Sequence, residues 1–64
     1  MTENMKEWLR NLYLDAAEEH RGAAQNENIW ALGADNEEMA VMHMNNACEN
    51  LRFADILTSM ANEI

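Results

Sequence analysis

The chain has 64 residues, with 12 acidic against 4 basic side chains for a formal charge of −8, one cysteine and no proline. One domain of that length buries only about 60% of its unfolded surface; with no disulfide partner for Cys48 and no zinc-spaced Cys/His cluster, self-association is the remaining staple. The four cations, Lys6, Arg10, Arg21 and Arg52, are scattered, which excludes a basic patch for nucleic-acid phosphates, and the acidity repels an anionic membrane surface.

The first element is a helix expected over about residues 3–32. Its apolar stripe reads Met5, Trp8, Leu9, Leu12, Ala16, Ala23 and Trp30, the pattern of one face of a 3.6-period helix. Trp30, beside the following turn, is expected to cap the core. Gly22 lies inside the helix at a cost of about 1 kcal/mol relative to alanine, so Arg21–Gly22 is where a kink is expected if there is one. Leu14, next in space to Arg10 and Arg21, is a candidate for a partner patch.

The stretch WALGADNEE ends that helix. Gly33 suits the left-handed conformation that stops a helix. Asp35 reads as an N-cap with Glu38 as its capping-box partner, and Ala34 and Met39 occupy the staple positions. A stop and a start this close fold the chain into an antiparallel hairpin around a turn at 33–35.

The second helix is expected over about 36–62. Ala40, Ala47, Ala54 and Ala61 recur every seven residues, with Met44 and Leu51 beside them. Such a line of small residues permits close approach of the first helix. A second stripe, Met42, Phe53, Ile56, Met60 and Ile64, lies next to it, and the polar arc is narrow. A helix apolar over most of its circumference is buried on more than one side. The expected class is therefore all-α: one hairpin domain over 1–64 that dimerises into a four-helix bundle through the second stripe.

Both helices lose hydrophobicity at one height. Pairing around the turn sets residues whose numbers sum to roughly 68 opposite one another: His43 against Gln25 and Asn26, Asn46 against Gly22, Asn50 against Glu18 or Glu19. Glu19, His20, Asn26, His43, Asn46 and Asn50 then form a polar layer, with Glu27 nearby. Two uses stay open. One is a hydrogen-bonded network that fixes register and oligomer state; the other is a ligand cleft between protomers. A carboxylate-bridged di-metal centre needs Glu-x-x-His from facing helices, whereas Glu19 and His20 are adjacent and Ala40 stands three before His43. No acid/base carboxylate pair, phosphate loop or Ser/His/Asp set is present. No enzyme activity, metal or cofactor is expected, and Cys48, beside Asn45 and Arg52, reads as a partly exposed, inert thiol.

Met1 leads into TENMKEW, which lacks the basic start and apolar run of a signal peptide, and no stretch reaches transmembrane length. With a lone thiol and six methionines, a cytoplasmic protein is expected. The functional expectation is a small acidic protein-interaction module, a homodimer whose carboxylates engage a basic surface of another protein. Its size and charge suit an inhibitor encoded by a phage or mobile element that blocks a host defence protein by charge mimicry, an association of size and charge alone. The alternative is a small-ligand or nucleotide-binding bundle, with Arg21, His20, His43 and Asn50 lining pockets between protomers.

Overall fold

Thr2 opens the first helix. Its backbone is extended and its hydroxyl accepts the Met5 N–H at 3.2 Å, satisfying one of the donors a helix start leaves unpaired. The computed structural model describes residues 1–64, and they form two helices, α1 (Glu3–Leu32) and α2 (Glu37–Asn62), laid antiparallel. α1 passes through Gly22 without a break. A Cβ at Gly22 would meet no atom within 4 Å, so nothing in the packing calls for glycine there.

The turn departs from expectation in two ways. Gly33 is not left-handed: its φ is −96° and ψ 7°. α1 ends instead by tightening, with Gly33 N–H donating to the Ile29 carbonyl and Ala34 N–H to the Ala31 carbonyl, both at 3.3 Å. The N-cap of α2 is Asn36 rather than Asp35. Asn36 is extended (φ −148°, ψ 165°) and its Oδ1 accepts the Met39 N–H at 2.8 Å. The box between Asp35 and Glu38 is therefore not formed; Glu37 and Glu38 sit in the first turn of α2, where their charge suits the positive end of the helix dipole.

This extra turn residue moves the register. His20 meets Asn50 and Glu27 meets His43, pairs whose numbers sum to 70 rather than the expected 68. The seam of α1 also lies one residue on from the expected stripe. Its buried residues are Ala17 and Ala24, facing Ala47, Ala54 and Ala61 of α2, and these five alanines are the whole buried core. The large residues of the expected stripe, Met5, Trp8, Leu12 and Trp30, are exposed, and Trp30 caps no core. The reason is steric. Two alanine lines let the helix backbones close on each other, whereas a tryptophan or leucine in either line would hold them apart. Between the alanines, at alternating spacings of three and four, come half-buried Tyr13, His20 and Glu27 on α1 and His43, Asn50 and Leu57 on α2, the spacing of a two-stranded coil.

Such a seam closes a hairpin without enclosing a large side chain. The rod measures 52 × 13 × 10 Å with a radius of gyration of 15.1 Å, against about 11 Å for a compact domain of this length. Its accessible surface is 4913 Å², where a compact protein of this mass exposes about 4,200 Å². Neither helix is long and apolar enough to cross a membrane.

Candidate functional site: a polar belt on one face of the hairpin

Each helix contributes one histidine and one acceptor to the belt. His20 on α1 donates through Nδ1–H to Asn50 Oδ1 on α2 at 2.8 Å. The Asn50 amide is held from its other side, Nδ2 donating to the Asn46 main-chain carbonyl at 3.0 Å. With its nitrogen committed to that carbonyl, the amide turns its oxygen to His20, which places the proton on His20 Nδ1. One heptad closer to the turn, the roles of the helices are exchanged. His43 on α2 donates through Nδ1–H to Glu27 Oε2 on α1 at 2.6 Å, both side chains more than four-fifths buried.

An aromatic ring accompanies each pair, and the placement repeats. The Phe53 ring, three residues after Asn50, lies 5.5 Å from His20. The Trp30 ring, three residues after Glu27, lies edge-on 5.8 Å from His43. Acceptor-x-x-aromatic on one helix against histidine on the other thus occurs twice, related by a local two-fold between the pairs. Alternation of small and polar seam residues at heptad spacing makes this possible, because only side chains beside an alanine line have room to reach across.

Between the pairs lies a shallow groove of about 170 Å³ lined by His20, Glu27, Asn46, Glu49, Asn50 and Phe53. It is polar, carries two carboxylates and opens to solvent. No three His, Cys, Asp or Glu side chains are placed to hold a metal ion together.

Of the residues singled out in the sequence, His20, His43 and Asn50 come together in the belt, and Asn46 contributes its main-chain oxygen. Glu19 and Asn26 are exposed on the outer side of α1, because the register brings Glu27 to His43 in place of Asn26. Arg21 leaves the belt altogether: its Nη2 donates to Thr58 Oγ1 at 2.9 Å on the opposite face. Glu27, expected near the layer, is the partner of His43; Glu49, Phe53 and Trp30 are belt residues that the sequence reading does not include. The available signal was heptad spacing, Tyr13–His20–Glu27 on one helix and His43–Asn50–Leu57 on the other. Cys48 is exposed and unpaired.

Met42, Phe53, Ile56 and Met60, expected at a subunit interface, are exposed in the single chain. Ile64 is half-buried at the open end of the seam, where its main-chain oxygen accepts from Arg10 Nη2 at 2.7 Å. No protein-family model matches the chain, and comparison with curated proteins and with solved structures likewise gave no match.

Proposed function

We propose that the chain is a small acidic interaction module that pairs with a second copy into a four-helix bundle and offers its carboxylates to a basic surface of another protein. The observation that supports this reading best is the contrast between a core of five alanines and a surface carrying Met5, Trp8, Leu12, Trp30, Met42, Phe53, Ile56 and Met60. Large apolar residues on a marginal domain indicate a partner. The charge supports the rest. Lys6 and Arg21 are spent on neighbouring Glu3 and Glu18, which leaves the −8 of the chain as a field that draws in cationic surfaces. A basic nucleic-acid channel, such as that of a host defence nuclease, has the complementary charge, and occupying it would inhibit.

The test is capture of partners from the native host at about 50 and 500 mM salt, bracketing a strong change in screening. A basic partner that is released by high salt and by competing duplex DNA is the expected result. A partner held equally at both salts, and indifferent to DNA, contradicts charge mimicry.

The polar groove supports a ligand-binding reading less well. In the single chain its volume is about 170 Å³, short of the roughly 300–1,000 Å³ of small-molecule sites, and Arg21, which that reading sets among the pocket residues, lies on the other face. Thermal-shift measurements with nucleotides and divalent metals are expected to show no stabilisation.

A further inference from the structure

The two broad faces of the hairpin differ. The face marked by the His20–Phe53 and Trp30–His43 ring contacts carries, at helical spacing, Met5, Leu9, Leu12, Ala16 and Ala23 of α1 and Met39, Met42, Ile56 and Met60 of α2. The face marked by Arg21 and Thr58 carries Glu7, Glu18, Gln25, Asn28, Cys48 and Asp55, with Leu14, Leu32, Val41, Met44 and Leu51 among them. We infer that the belt-bearing face is where a second copy of this chain sits, with the turns of the two hairpins at the same end so that their polar belts coincide. The inference rests on the self-association reading above and specifies its surface and orientation.

Area selects the occupant. The chain exposes 4913 Å², about 700 Å² more than a compact protein of its mass. A standard interface removes about 800 Å² from each partner. One copy of the same face, apolar at both ends, supplies that area and closes a two-fold bundle. A strongly basic partner would instead have to cover methionine, leucine and phenylalanine with charged groups.

Polar matching selects the orientation. The belt is off-centre: His20 and Glu27 lie in the turn-side half of α1 (Glu3–Leu32), and their midpoint stands about 9 Å from the middle of that helix at 1.5 Å per residue. With turns at opposite ends, the two belts would miss each other by about 18 Å on the same rise. His20, Glu27, His43 and Asn50 would then be buried against Leu9, Leu12, Phe53 and Ile56 of the other copy, without hydrogen-bond partners. With turns at the same end, belt meets belt and the open groove gains a roof bearing donors and acceptors. Phe53, Ile56 and Met60 of one copy then meet Met5, Leu9 and Leu12 of the other. Glu19 is exposed in the single chain, whereas Glu49 lines the groove, so the roof encloses it with Glu27 and their repulsion is the main cost of this arrangement.

Spin-label distances decide the orientation. In a Cys48→Ser background, Glu38→Cys places one nitroxide near the turn and Asn62→Cys one at the open end, both at exposed positions. Each label pair across the dimer is expected within about 30 Å, two helix diameters plus the labels. Distances for both labels approaching the 52 Å length of the rod overturn the shared-end arrangement. Mass measurements decide the face. Phe53→Glu with Met60→Glu is expected to give monomers, folded or not, and Leu14→Glu with Leu51→Glu to remain dimeric. The reverse pattern overturns the assignment of the face, and a monomeric wild type overturns it together with self-association. A dimer with short label distances that captures no salt-sensitive partner refutes the charge-mimicry reading alone and leaves this one standing.

Discussion

At Gly22 an added methyl group meets nothing within 4 Å, and the backbone is already helical. Gly22→Ala is therefore expected to raise the unfolding free energy by about 1 kcal/mol, mainly by removing freedom from the unfolded chain. Urea melts read this directly, and a loss of stability would show that α1 needs glycine there. The turn gives a sharper contrast. Asn36→Ala removes the acceptor of the Met39 N–H and is expected to cost about 1 kcal/mol, whereas Asp35→Ala should stay within about 0.5 kcal/mol. Gly33→Ala should also be near neutral, since its φ of −96° is open to any residue. Equal losses at 35 and 36 would put the cap elsewhere. Asp and Asn are equally good caps, so a sequence with both in succession leaves the choice to tertiary pairing. That choice fixes the register.

Among the elements, the seam was legible on only one helix. Ala40, Ala47, Ala54 and Ala61 announce a close helix contact by their spacing. On α1 the most conspicuous apolar residues, Trp8, Leu12 and Trp30, are exposed, and Ala17 and Ala24 take their place in it. A search for hydrophobicity finds the outward face of such a helix before it finds the seam, since alanine is small and weakly apolar. The seam's tightness is open to test. Ala54 is fully buried, and Ala54→Leu is expected to destabilise by about 1–3 kcal/mol through overpacking; a neutral result would mean the helices are not closely apposed. The belt offers a second check. A double-mutant cycle on Glu27→Gln and His43→Phe should give a coupling of at least about 1 kcal/mol, the range of a hydrogen bond to a charged group. Independent effects would show that the 2.6 Å contact contributes nothing.

For the molecule as a whole, the hairpin follows from one turn and two long periodic segments, and a polar layer shared by both helices could be read from His20, His43 and Asn50. Which groups pair within that layer could not, because moving the register by two residues exchanges Gln25 for Glu27 opposite His43. What holds such a molecule together is the larger matter. Five buried alanines at about 25 cal/mol per Å² of apolar burial are a thin reserve against the conformational entropy of 64 residues, and many methionine, leucine and aromatic side chains have no cover within the single chain. If a second copy supplies it, folding and association are one equilibrium and the melting temperature depends on concentration. Sedimentation equilibrium of the unmodified chain at micromolar concentration tests this most directly. A helical species of twice the 7.4 kDa chain mass is expected, dissociating only as it unfolds on dilution; a stable, folded species of 7.4 kDa across that range would contradict it.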